Sequence, residues 1–268
     1  MKVDRVILSA NNNEMYYPFW NVVSRVYKTK FGIEPVLIFL GTDEERTSCD
    51  FSEEYGQVIT YDIKLEGKLA WECTWALFYF TKFYLDDVCL IMGIDQIPLG
   101  TFFIKDVIED LSDDSYVMLT DDAYKHTKFK TWENGGISPT AYHIAKGETF
   151  NKIYKFEDTF ENEISKIELL NLETMWEADT GSSKWGFDET YSSKILFENK
   201  NNFKIIGLSK NHEFNSRRVD CYRNIEVNYN LEALKSNYYI ECHSCRPYSK
   251  HKNWIDNLVN NIPEFIKN

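Results

Sequence analysis

Over residues 1–95, apolar runs of strand length alternate with stretches of helical periodicity, and nothing else in the sequence restricts the fold as much. Val3–Ser9 is β-rich and ends at the polar turn Ser9-Ala10-Asn11-Asn12-Asn13-Glu14. Phe19, Trp20, Val22, Val23, Val26 and Tyr27 then recur at helical spacing up to Gly32, a residue suited to a left-handed helix stop. Pro35–Leu40, closed by Gly41-Thr42-Asp43, and Gln57–Tyr61 read as a second and a third strand. Leu69–Leu85 is the longest helical candidate; it is apolar nearly all round and therefore expected to be buried. It leads into a fourth strand, Val88–Ile94. The alternation predicts an α/β protein with a mostly parallel central sheet flanked by helices.

Further along, Ile104–Leu111 looks helical, Tyr116–Leu119 is a strand, and Thr131–Thr140, with Gly135, Gly136 and Pro139, reads as loop. Helices are expected over Thr149–Tyr154, Ile164–Leu172, Trp185–Phe197 and His251–Ile262, and strands over Phe203–Leu208 and Tyr238–Cys242. There is no internal repeat, low-complexity block or linker, so a single domain is expected over residues 1–268.

A chain of 268 residues buries a sizeable core without staples. Its net charge of −12 argues against nucleic acid, whose binding depends on Lys and Arg neutralising phosphates. It leaves room for one small anion in a locally basic cleft, particularly where a divalent cation shares the charge. The six cysteines (Cys49, Cys73, Cys89, Cys221, Cys242, Cys245) show no framework spacing, and the one C-x-x-C, Cys242–Cys245, is followed at once by Arg246-Pro247. The run Met1–Leu8 contains charges and too short an apolar core for a signal peptide. No apolar run approaches the roughly 18 residues that span a bilayer. A soluble, cytoplasmic, reducing setting is the expectation.

Three segments carry residues suited to chemistry. In Leu90-Ile91-Met92-Gly93-Ile94-Asp95-Gln96-Ile97-Pro98-Leu99 a buried-type strand ends in an acid, where open α/β sheets bind ligands. The alternative is an Asp capping a turn. In Glu241-Cys242-His243-Ser244-Cys245-Arg246-Pro247-Tyr248 a histidine closes a strand ahead of an arginine, and Lys250, His251 and Lys252 add local positive charge to an acidic protein. The plainer reading is a turn histidine before a solvated helix start. In Lys184-Trp185-Gly186-Phe187-Asp188-Glu189-Thr190-Tyr191 a pair of acids opens a helix, a place the macrodipole also favours.

Together these segments resemble nucleotide-sugar glycosyltransferases of the GT-A fold. The first is similar to their Asp-X-Asp motif with its Ile/Met-Pro continuation, except that Gly93 replaces the first Asp. The second is similar to their C-terminal His-x(n)-Lys-Pro-Trp element, and the third to an acid pair near the acceptor. The resemblance implies one Rossmann-like domain, with a nucleotide-binding half over about 1–95 and an acceptor-binding half over about 96–268. It also implies transfer of a sugar from a nucleoside-diphosphate sugar, UDP in particular, to a glycan or other hydroxyl acceptor. Asp95 and His243 would ligate Mn²⁺ or Mg²⁺, Gly93 would lie against the donor, and Arg246 and Lys252 would contact the diphosphate. Asp188, or second Glu189, would be the base for the acceptor hydroxyl. Ser9, Ala10 and Asn11 would meet the nucleotide through backbone groups, and Lys68 and Trp75 lie where nucleotide or donor is often contacted.

Asp121-Asp122 is a rival acidic site, and Ile137–His143 could line the sugar pocket. Two other readings compete. A sugar nucleotidyltransferase would want a Gly-rich basic loop after the first strand, which Asn11–Glu14 lacks. A sugar- or nucleotide-binding module without turnover would tolerate Gly93.

Overall fold

The computed structural model describes residues 1–63, 70–120, 138–140, 142–170, 186–208, 214–221 and 224–265. The chain is α/β, with ten strands described: β1 (Arg5–Ala10), β2 (Glu34–Leu40), β3 (Gln57–Tyr61), β4 (Val88–Ile91), β5 (Gln96–Pro98), β6 (Ser115–Met118), β7 (His143–Lys146), β8 (Lys204–Gly207), β9 (Arg218–Asp220) and β10 (Glu241–His243). Its contacts cluster into two compact units. One comprises Met1–Asp62, Gly93–Leu111 and Glu213–Asn268, the other Ile63–Met92 and Ser112–His212. Each unit thus draws on both of the halves expected from the sequence.

In the first unit β1, β2 and β3 run parallel, with Ser9 opposite Ile38 and Leu37 opposite Val58. Val6, Ile7 and Leu8, and Val36 through Phe39, are fully buried, which is why β1 and β2 read as unbroken apolar runs. The helix Trp20–Val26 passes into a π-turn, Tyr27–Phe31, that Gly32 ends at φ 68°. The expected turn at Gly41–Asp43 instead opens a helix, Asp43–Ser48. Thr42 and Glu45 form a reciprocal capping box there, a spacing readable in the sequence.

A second, three-stranded sheet of this unit has the order β5-β10-β9. β10 runs antiparallel to β5 and parallel to β9, so His243 stands opposite both Gln96 and Asp220. The strand expected at Tyr238–Cys242 begins only at Glu241, because the preceding residues close the helix Leu231–Lys235. Asn237 takes a left-handed φ of 61°, and the Tyr238 N–H donates to Ala233 O at 3.0 Å. Ile104–Leu111 is shifted too, to a π-helix over Phe102–Val107. The last helix, Tyr248–Asn260, starts immediately after Pro247 and buries His251, Ile255, Leu258 and Val259 on one stripe.

In the second unit β7 runs antiparallel to both β4 and β6, and β8 runs parallel to β6. The apolar segment beginning near Leu69 divides into an α-helix, Ala70–Tyr79, and a 3-10 turn, Phe80–Phe83. Trp75 and Phe78 of that helix pack edge-on or tilted against Phe150, Tyr154 and Phe156, while Tyr154 stacks on Phe150 and Phe156 and Tyr116 meets Phe150 edge-on. The helix Gly147–Tyr154 approaches so closely that a Cβ on Gly147 would lie 2.2 Å from the Tyr84 carbonyl oxygen. Helices Phe160–Leu169 and Phe187–Asn199 complete the unit; Gly186 enters the latter at φ 81°. Among the described residues no helix is long and apolar enough to cross a membrane.

Candidate functional site

The first unit gathers Asp95, His243 and Arg246, three of the residues singled out from the sequence. A tight turn positions the acid: Gln96 N–H bonds Gly93 O at 3.1 Å, and Gly93 N–H donates to Gln96 Oε1 at 2.8 Å. The Ser244 N–H donates to Asp95 O at 3.0 Å, tying the turn to the residue after β10. Strand alternation turns His243 to one face of β10 and Cys242 and Ser244 to the other. His243 Nε2 lies 3.2 Å from Asp95 Oδ2, and its Nδ1 lies 3.9 Å from Asp220 Oδ1. Arg246 Nη1 is 3.5 Å from the same Asp95 oxygen and donates to the Tyr16 hydroxyl at 2.7 Å.

Burial works to raise the Asp95 carboxyl, but His243, by contact and charge, and the charge of Arg246 outweigh it and hold the group below its ordinary range. Burial likewise works to lower His243, and Asp95 with Glu241 more than offsets it, so the imidazole is raised. Tyr16 is raised chiefly by burial, against the pull of Arg246, and its phenol stays protonated.

Asp95 Oδ2 is inaccessible to solvent and lies against His243 and Arg246, while Arg246 Nε is buried without an acceptor. That Nε–H is a donor suited to an anion. Among the described residues no three His, Cys, Asp or Glu side chains are arranged around a common point as a metal cage. Asp95 and His243 offer one carboxylate and one imidazole, donor types that divalent cations take.

Gly93 explains how the turn forms without a second acid. A Cβ there would meet Gln96 Oε1 at 3.0 Å and Asp95 Oδ1 at 3.2 Å, so the Gln96 amide fills the space an acid would enter. Tyr16, Gln96 and Asp220 had no sequence signal. They join the site through a loop contact and through strand register.

The other expected residues take the following places. Ser9 and Ala10 end β1 and are buried, and Asn11 Oδ1 accepts from Asn13 N–H at 3.1 Å in the turn beyond. Lys252 is exposed on the last helix, paired with Asp256, and its contacts do not include Asp95, His243 or Arg246. Lys68, Asp121, Asp122, Ile137, Lys184 and Trp185 lie outside the described residues. In the second unit Trp75 and His143 are core groups, 1% and 0% exposed.

Asp188 and Glu189 also belong to the second unit. Asp188 is 3% exposed, and accepts from Thr140 Oγ1, from Thr74 and from the N–H groups of its own residue and of Glu189. Burial raises its carboxyl; these donors only moderate the effect. The geometry is that of a carboxylate bracing segment 138–140 and the helix Ala70–Tyr79 against the start of Phe187–Asn199. Glu189, beside it, is half-buried and the more accessible acid.

Neither a protein-family model nor a curated protein matches this sequence.

Proposed function

We propose that the chain is a glycosyltransferase of the GT-A kind, which binds a nucleoside-diphosphate sugar, UDP-linked in particular, and passes the sugar to a hydroxyl acceptor. The observation that carries the reading is one cluster in which Asp95 Oδ2 lies between His243 Nε2 and Arg246 Nη1 while Arg246 Nε is buried with no acceptor. A diphosphate would supply that acceptor. Asp95 and His243 would hold Mn²⁺ or Mg²⁺, which when bound offsets the charge that grows on the leaving diphosphate. The Arg246 fork donates to phosphate oxygens, held in orientation by its bond to Tyr16. A carboxylate base would take the acceptor hydroxyl proton as that oxygen bonds to the anomeric carbon and the bond to the diphosphate breaks; Asp188 and Glu189 are the acids the sequence offers for that role. The test is calorimetric titration of UDP with and without Mn²⁺ on wild type and Asp95→Asn. Absence of UDP binding to the wild type under every condition sinks the proposal.

A second reading, a binding module without turnover, is favoured by Gly93, whose place beside Asp95 is taken by an uncharged amide. Release of UDP from UDP-sugars separates the two. Turnover abolished in Asp95→Asn supports the enzyme, and binding without release on any donor supports the module.

A further inference from the structure

Arg46, Arg218 and Arg246 each lie against a carboxylate. Arg217 does not. It closes the 3-10 turn Phe214–Arg217 ahead of β9 in the first unit, and its guanidinium lies over two rings. The Cζ atom is 4.2 Å from the Phe102 ring centre and 5.0 Å from that of Tyr238. Among the described residues the guanidinium makes no hydrogen bond or ion pair. Arg217 is part-exposed and Tyr238 is 37% exposed, so the cluster is open to a ligand.

The positions of the two rings are fixed from behind. The Thr101 N–H donates to Asn237 Oδ1 at 2.7 Å, and Asn237 Nδ2 donates to Thr101 Oγ1 at 3.3 Å. These bonds lace the residue before Phe102 to the residue before Tyr238. Asn237 makes them at its left-handed φ of 61°, a conformation asparagine tolerates better than most residues. The Leu99 N–H donates to Ile240 O at 2.9 Å, and a Cβ on Gly100 would lie 2.3 Å from Tyr239 O, so the two segments run in close contact. Arg217 is fixed as well. The Ile240 N–H donates to Arg217 O at 2.8 Å, and the Tyr238 hydroxyl donates to Ser216 Oγ at 3.4 Å.

Cation–π attraction holds a guanidinium without supplying the oxygen acceptors that its five N–H donors want. A planar fork of this kind matches the paired oxygens of a phosphoryl or carboxylate group. We propose that Arg217, Phe102 and Tyr238 form a second anion site, which takes one phosphoryl or carboxylate group of a small ligand on the Arg217 fork. A net charge of −12 disfavours a polyanion and leaves a single anionic group as the occupant. The site is separate from the Asp95 cluster. Asp220, opposite His243, lies three residues further along the chain, roughly 10 Å at strand spacing, which one phosphate cannot bridge. It stands whether or not the chain transfers a sugar.

The test follows the arginine Nε–H and Tyr238 ring resonances of the isotope-labelled full chain as inorganic phosphate or acetate is added, with chloride holding the ionic strength constant. Arg217 and Tyr238 are expected to shift together and to saturate. Tighter saturation by phosphate assigns a phosphoryl group, and tighter saturation by acetate a carboxylate. Arg217→Lys keeps the charge and loses the fork, so the Kd read at the Tyr238 ring is expected to rise at least several-fold. Arg246→Lys is expected to leave that Kd unchanged. Shifts at Arg217 that never saturate with either anion overturn the site, as does an unchanged Kd in Arg217→Lys. A wild-type response that disappears in Arg246→Lys assigns the anion to the Asp95 cluster and overturns it too.

Discussion

Arg246 reaches Asp95 with its Nη1, 3.5 Å from Oδ2, while the same guanidinium donates to Tyr16 at 2.7 Å and keeps its Nε–H unpaired. An arginine tethered through Nη1 with a buried donor still unmet is preorganised for a planar, bidentate anion. Lysine has a single charged point and no fork.

Arg246→Lys is therefore expected to weaken UDP at least about tenfold, roughly 1.4 kcal/mol, while leaving any affinity for uridine nearly unchanged. Parallel titrations of UDP and uridine check this. Equal losses for both ligands place Arg246 away from the phosphates.

Gly93 sits at a backbone φ open to any residue, and the atoms a Cβ would meet are side-chain ends rather than backbone. Gly93→Asp is expected to fold, at a cost of about 1 kcal/mol for displacing the Gln96 amide. Its new carboxylate faces Asp95 Oδ1, so like-charge repulsion is relieved by a cation. Mn²⁺ should then raise the thermal midpoint of Gly93→Asp by more than that of wild type. An equal rise in both proteins means that position 93 does not face the cation.

The Asp95–His243 pair carries a pH signature with two edges. His243 is raised above 6.5, so its contribution to stability is complete below that value and is lost as pH rises through the raised one. Asp95 is lowered below 3.8, so its contribution is complete above that value and is lost as pH falls through the lowered one. Urea unfolding between about pH 5 and about pH 8.5 should show an alkaline decline in the metal-free protein that His243→Gln lacks. Cation binding needs the neutral imidazole, so Mn²⁺-dependent UDP affinity should rise over the same interval. Parallel rather than opposed trends would falsify a shared role for His243.

The alternation that foretold α/β structure was legible because β1 and β2 are buried on both faces and so spell continuous apolar runs. His243 was legible because it closes β10, and Asp95 because an apolar strand runs into the turn that holds it; that strand ends at Ile91 rather than at the expected Ile94. Their neighbours were not. Asp220 meets His243 only through the parallel register of β9 and β10, and no local pattern encodes register between strands more than twenty residues apart. Tyr16 arrives through a single side-chain bond. Asp188 looked accessible at a helix start, and its burial depends on Thr74 and Thr140, residues remote in sequence. The helix at Asp43 was within reach, since Thr42-x-x-Glu45 is a capping box.

His143 supplies an acid-side test of the second unit. It is fully buried and pushed down to about 4, with burial the dominant cause. Tyr116 Oη bonds its Nδ1 at 2.8 Å, and its Nε2 lies 2.7 Å from Pro139 O, so the neutral ring bonds at both nitrogens. A histidine held neutral in the fold but free to charge when unfolded stabilises fully above 6.5, and that stability is lost as pH falls toward 4. The gap corresponds to about 3 kcal/mol. Urea unfolding at neutral pH and near pH 4.5 should show a loss of that order in wild type and a much smaller one in His143→Gln. An identical loss in both proteins assigns the acid sensitivity to other groups.

Asp188 and Glu189 are adjacent yet differently placed, and substitution should separate a brace from a base. Asp188 accepts from two threonines and two backbone N–H groups while nearly inaccessible, so Asp188→Ala strands buried donors and should cost about 2–3 kcal/mol. Asp188→Asn keeps an acceptor of the same shape and should lose much less stability and less than about tenfold in turnover. Glu189→Gln keeps the side chain's size, and if Glu189 is the base of the proposed transfer, turnover should fall about 10²–10⁴-fold with the unfolding midpoint unchanged. Donor hydrolysis and chemical denaturation, run on all three variants, give the comparison. If Asp188→Asn loses turnover as deeply as Glu189→Gln while staying folded, Asp188 is the base and the helix start must open for the acceptor to reach it.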